Sequence, residues 1–170
     1  IQDSLVGSEM CIRDSVAHVS TRDAVNVIRE AKKSGLSITC DTAPPYFSLN
    51  ESKLLTYNTA FKLSPPLRSE DDRLAIIEGI QDGTIDAIAS DHRARSKDTK
   101  AQPFSAASVG ASGIETLFSI TLDLVHKKII DINKAISFLT INPAKIFGID
   151  SPSLELSLIH ISEPTRLSWI

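Results

Sequence analysis

The sequence predicts an α/β fold in which parallel strands alternate with helices. Three observations carry that prediction. Strand-like and helix-like stretches follow one another as strand, helix, strand, loop, helix, strand, helix, the alternation of a βα barrel or a doubly wound sheet. The run Ile85-Asp86-Ala87-Ile88-Ala89-Ser90 is mostly small or apolar on both of its alternating faces, as the strands of covered parallel sheets are. Two strands also end on groups that do chemistry. Val16-Ala17-His18-Val19 carries His18, and the 85–90 run stops at Asp91-His92; α/β barrels place their active sites at such carboxyl ends.

Taken in order, the elements begin with the His18 strand. Ser20 is then placed to cap a helix with Asp23 at its third position. Ala24, Val27, Ile28 and Ala31 recur at helical spacing until Gly35 ends the element. Leu36 to Asp41 reads as the next strand. It runs into Thr42-Ala43-Pro44-Pro45, where two prolines are expected to stop helix and ladder alike. A long loop is expected from Tyr46 to Pro66, and loops of that length are commonly functional. Ser69 caps a helix with Glu70, Asp71 and Asp72 at its positive end. Its buried stripe is Leu74, Ile77 and Ile80, and Gly83 closes it. After the Asp91 strand a second long loop runs from His92 to Gly113. Ile114 to Lys128 and Ile132 to Leu139 read as helices, and Asn142-Pro143 starts a short third. Three strands are too few to close a barrel, so the chain is expected to hold the last three βα units of eight.

Composition narrows the classes. Eighteen Lys and Arg against 21 Asp and Glu leave a net charge of −3, which argues against nucleic acid or an anionic membrane as the main partner. No apolar run approaches the ~18 residues of a membrane span. Cys40 is the lone cysteine of the central part, so no disulfide framework is expected; the residue reads as core, and a reducing cytoplasmic location is expected. The ends differ from the rest. GAG ATG TGT ATA AGA GAC encodes Glu9 to Asp14, and its reverse complement, read one frame over, encodes the Leu-Ile-His-Ile-Ser of Leu158 to Ser162. Residues 1–15 and 156–170 therefore resemble translations of a sequencing-library adapter from opposite strands, and 16–155 is expected to be the native part, a partial barrel.

Within that part several stretches occur together and in order. They are Ala17-His18-Val19-Ser20-Thr21, Ile38-Thr39-Cys40-Asp41, Ser64-Pro65-Pro66-Leu67-Arg68 and Glu70-Asp71-Asp72-Arg73. Asp82-Gly83-Thr84-Ile85-Asp86, Ser90-Asp91-His92, Lys100-Ala101-Gln102-Pro103 and Gly113-Ile114-Glu115-Thr116 follow. With its spacing from His18 to Asp91, this set resembles the dihydroorotase family of the amidohydrolase superfamily, in its longer bacterial form. The resemblance implies a (β/α)8 TIM-type metal-dependent amidohydrolase barrel with a divalent metal, usually zinc, at the carboxyl ends of the strands. It makes His18 a metal ligand on strand six. It makes Asp91, on strand eight, both a metal ligand and the catalytic proton shuttle. The implied reaction is the reversible cyclisation of N-carbamoyl-L-aspartate to dihydroorotate in pyrimidine synthesis. The family's His-X-His pair, bridging acid or carboxylated lysine and further His belong upstream, so the 170-residue chain alone is expected to be inactive.

The chain departs from the family in places. Arg95 stands where the family has a substrate-contacting His within Asp-His-Ala-Pro-His, here Asp91-His92-Arg93-Ala94-Arg95. Arginine grips a carboxylate with two parallel bonds, so Arg95 either binds substrate or belongs to a solvated basic loop with Arg93 and Lys97. Ser64 takes the place of a substrate-binding Asn, as a donor to substrate or as a loop cap. Val109 and Gly110 match positions whose backbone contacts the pyrimidine ring, where glycine permits close approach. His92 either faces away or supports the metal site from behind. A small-molecule substrate is expected, with a homo-oligomer or an aspartate transcarbamoylase complex open as assemblies. Two other functions stay open: a dihydropyrimidinase or hydantoinase-type cyclic amidase, and a non-catalytic dihydroorotase-like partner of aspartate transcarbamoylase.

Overall fold

The structure, a computed structural model, describes residues 14–149. Most of both adapter-like stretches therefore lies outside the described residues. Strands β1 (Asp14–Val16), β2 (Ile38–Thr42) and β3 (Ala87–Ile88) lie parallel and side by side in chain order, with Val16 opposite Cys40 and Asp41 opposite Ala87. Parallel neighbours need crossovers, which α1 (Arg22–Lys33) and α3 (Glu70–Asp82) supply. The ladder takes in Asp14 and Ser15, because strand pairing uses the backbone of any residue. The strands are shorter than the sequence suggests. At His18 and Asp91 the backbone turns to φ +57 and +43, which ends ladder geometry just beyond β1 and β3.

Helix α1 starts one residue later than expected. Thr21, with Oγ1 accepting from the Ala24 N–H at 3.3 Å, is the cap, and Ser20 is buried. The buried stripe passes through Val25 and Ile28, leaving Val27 68% exposed. Lys32 sits further along the helix, its Nζ 2.6 Å from Asp86 Oδ2. Pro44 and Pro45 begin a helix instead of forbidding one. They fill the first turn of α2 (Pro44–Ser48), where a missing N–H costs nothing. The expected 46–66 loop is thus partly helical, with 3-10 turns at Glu51–Thr56 and Thr59–Phe61.

Ser69 and Gly83 bound α3 as the sequence indicates, Ser69 Oγ accepting from the Asp72 N–H at 3.2 Å and Gly83 turning to φ +82. Its buried face is Ala75, Ile76, Gly79 and Ile80, whereas Leu74 is 42% exposed. Gly79 sets the close approach on this face. A Cβ on Gly79 would stand 3.2 Å from both Ile85 Cδ1 and Val25 Cγ1, so bare backbone is what lets α3 approach α1 and the sheet. Gly79→Val should therefore destabilise the folded protein by about 1–3 kcal/mol, the usual cost of overpacking, read as a lower urea midpoint at unchanged slope.

The second long loop contains one short helix, α4 (Lys97–Lys100). Helix α5 (Leu117–His126) starts three residues later than expected, and before it the Gly113 and Ile114 N–H groups both point at His92 Nδ1, at 3.2 and 3.3 Å. Helices α6 (Ile132–Leu139) and α7 (Ile141–Phe147) complete the described chain. α1 packs on β2 and α3, and α6 on β3, around a core that includes Val25, Cys40, Ile76, Ile80, Ile85 and Phe138. These are three consecutive βα units of a (β/α)8 barrel. No helix among the described residues is long and apolar enough to cross a membrane.

Candidate active site at the carboxyl ends of the strands

All three strands deliver an ionisable side chain to the same end of the sheet. His18 follows β1, Asp41 sits near the end of β2 and Asp91 follows β3. Both His18 and Asp91 occupy the left-handed backbone region, which Asp and His tolerate better than most residues but which still costs of order 1–3 kcal/mol each. That cost places their side chains face to face. His18 Nε2 lies 3.5 Å from Asp91 Oδ1.

Asp41 orients the imidazole. Its Oδ1 accepts from the His18 backbone N–H at 2.9 Å and stands 3.1 Å from His18 Nδ1. A carboxylate oxygen only accepts, so Nδ1 carries a proton, and Nε2 is the ring nitrogen that faces Asp91. Tyr46, only 3% exposed, closes the other side, its hydroxyl 3.4 Å from Asp91 Oδ2 and 3.1 Å from the Pro65 carbonyl. Burial holds the Tyr46 phenol well above its ordinary pKa, and the neighbouring Asp91 charge adds to this, so the hydroxyl stays a donor. Asp91 Oδ1 is different: it is buried and has no hydrogen-bond partner. Arg93 Nε lies 3.0 Å away with the Asp91 side chain 7% exposed, but it is not aligned to donate.

His18 Nε2 thus faces, across 3.5 Å, a buried carboxylate oxygen that accepts no hydrogen bond, an arrangement that suits a proton or a cation shared between them. Two donors each about 2.0–2.1 Å from a tetrahedral zinc stand ~3.3 Å apart, so the pair fits two positions of such a site. A carboxylate that accepts from the far nitrogen of a ligating imidazole, as Asp41 does for His18, is the usual second partner of a metal-binding His. Among the described residues no group of three or more His, Cys, Asp or Glu side chains is arranged to hold a metal ion.

Ser64 is exposed, and the next residue, Pro65, gives its carbonyl to Tyr46. Arg95 Nε donates to the Val109 carbonyl at 2.9 Å, which ties two expected substrate residues to each other. Gly110, buried at φ +112, donates its N–H to the Lys62 carbonyl, and its bare α-carbon abuts Arg93. His92 is exposed and anchors the start of α5. Cys40 is fully buried with its thiol 3.3 Å from the Thr84 carbonyl. Burial, and then the Asp86 charge, push that thiol up to about 11. Reagents that need thiolate should therefore leave Cys40 unmodified at pH 8 until the protein is denatured, as peptide mass spectrometry would show.

Sequence reasoning does not single out Asp41, Tyr46 or Arg93 as site residues. Asp41 obeys the same strand-end rule that points to Asp91, so its signal is present. Tyr46 and Arg93 carry none, since their roles depend on what the fold brings beside them.

The family model described as the amidohydrolase family matches residues 5–155. The dihydroorotase of Desulforapulum autotrophicum is 43% identical over 139 residues, covering 82% of this chain and 33% of that protein. The dihydroorotase of a Thermoanaerobacter species is 45% identical over 141 residues, with the same coverage of 82% and 33%. Among solved structures, the L-hydantoinase (dihydropyrimidinase) of Arthrobacter aurescens superposes with a TM-score of 0.78 at 28% identity, over 86% of this chain and 34% of that one. The chain thus spans about a third of the length of the curated relatives it matches. With three parallel βα units, ionisable groups gathered at their carboxyl ends and a family match over nearly the whole length, the chain belongs to the amidohydrolase family.

Proposed function

We propose that this segment supplies two zinc ligands, His18 and Asp91, and the proton shuttle of a dihydroorotase. The observation that carries the reading is the buried Asp91 Oδ1, which accepts no hydrogen bond, facing His18 Nε2. The family is generally metal-dependent, and the donor set of one imidazole and one carboxylate suits zinc. When bound, zinc supplies a Lewis acid that polarises an amide carbonyl and acidifies water. The chain's own residues do the rest. Asp91 takes the proton of the attacking water at Oδ2, the oxygen within reach of Tyr46, and returns it to the leaving ring nitrogen. His18 is held in its ligating tautomer by Asp41. Arg95 grips the substrate carboxylate with the guanidinium nitrogens not given to Val109, while Ser64, Val109 and Gly110 border the ring. The substrate is then a small cyclic amide, handled in the cytoplasm. Self-assembly or an aspartate transcarbamoylase complex is the partnership this reading admits.

The 28% likeness to a hydantoinase favours a second reading, a cyclic amidase that needs no carboxylate grip; the higher identity to dihydroorotases weighs against it. A full-length protein carrying this segment should hydrolyse dihydroorotate and leave dihydrouracil largely untouched. Turnover of dihydrouracil alone overturns the proposal. In the same protein Arg95→Ala should raise KM for dihydroorotate about 10- to 100-fold with little change in kcat, the loss of a charge-assisted pair made equally in ground and transition states. An unchanged KM returns Arg95 to a purely loop-bracing role.

A further inference from the structure

The oxygen that His18 faces is also faced by a cation of the chain itself. Arg93 Nε stands 3.0 Å from Asp91 Oδ1, closer than His18 Nε2 at 3.5 Å. Arg93 is not a loose surface arginine. Its backbone N–H donates to the Ala111 carbonyl at 2.8 Å, and its stem rests on Gly110, where an added Cβ would come within 2.7 Å of Arg93 Cβ. Gly110 at φ +112 thus makes the room that seats Arg93. The pair with Asp91 is its one ion pair among the described residues, and its side chain is 42% exposed against 7% for Asp91. Chain geometry, therefore, sets a permanent positive charge beside the one Asp91 oxygen that accepts no hydrogen bond.

A guanidinium and a divalent cation compete for the same lone pairs and repel each other across so short a distance. We propose that Arg93 is a built-in competitor for the cation at Asp91 Oδ1, a positioning residue that holds the carboxylate in place and lowers the affinity of the His18–Asp91 pair for divalent metal. The proposal rests on the metal-binding reading above. It carries a directional consequence: removing the charge tightens metal binding, whereas general damage to the site weakens it.

The test uses the full-length protein carrying this segment, stripped of metal and titrated with zinc against a chromophoric chelator. Arg93→Gln should bind zinc about tenfold more tightly or better, the scale on which partners of metal ligands act. Arg93→Lys, which keeps the charge, should stay near the parent affinity. Should the Gln variant fail to fold, Arg93→Ala removes the same charge with a smaller side chain and decides the matter. Zinc binding that is unchanged or weaker in the charge-removing variant overturns the proposal alone. A parent protein that takes up no zinc overturns both the proposal and the metal-dependent reading.

Discussion

Asp91→Asn in the full-length protein should lower kcat for dihydroorotate about 10³-fold, within the range a positioned general acid–base group contributes, while KM moves far less. Asparagine keeps the size of the side chain, so the left-handed backbone at 91 and the Tyr46 contact are preserved. What it loses is the capacity to take a proton at Oδ2. The assay belongs at saturating zinc, so that weaker metal binding does not pose as lost catalysis. Circular dichroism and the unfolding midpoint should be close to those of the parent. A loss below tenfold would remove Asp91 from the chemistry and leave it a structural carboxylate.

The second large effect is on metal retention, and it is graded. His18→Ala deletes a proposed metal ligand, and Asp41→Asn deletes only the acceptor that fixes the ring. Asp41 Oδ1 serves both the backbone N–H and Nδ1 of His18, so Asn at 41 frees the imidazole to rotate and offers it a weaker acceptor. Zinc affinity should fall about 10- to 100-fold for Asp41→Asn, and further for His18→Ala. Affinities unchanged from the parent in both variants would mean that Asp41 and His18 form a structural pair with no metal behind it.

The meeting of His18 and Asp91 at the carboxyl ends of two strands is legible in the amino-acid sequence. A carboxylate that ends an apolar strand reads as functional wherever strands are parallel, and Asp91 meets that description. Helix boundaries marked by chemistry, such as Ser69 and Gly83 around α3, are equally plain. Where sequence and structure part, the reasons are physical. Side-chain size and spacing point to Leu74 and Val27 for the core, whereas the close approach at Gly79 turns the face of Ala75, Ile76 and Ile80 inward and leaves Leu74 and Val27 exposed. Pro44 and Pro45 have the character of breakers, although at a helix start they are neutral. Tyr46 and Arg93 are unremarked in their local sequence, and their roles arise only when a helix after β2 and a loop after β3 meet over Asp91.

The most direct test is a crystal structure of the full-length protein grown with zinc, with the metal placed by its anomalous scattering. The account predicts a zinc peak about 2.0–2.2 Å from both His18 Nε2 and Asp91 Oδ1, with Asp41 still behind the imidazole. A zinc held elsewhere, with His18 and Asp91 bonded only to each other and to Arg93, would contradict it.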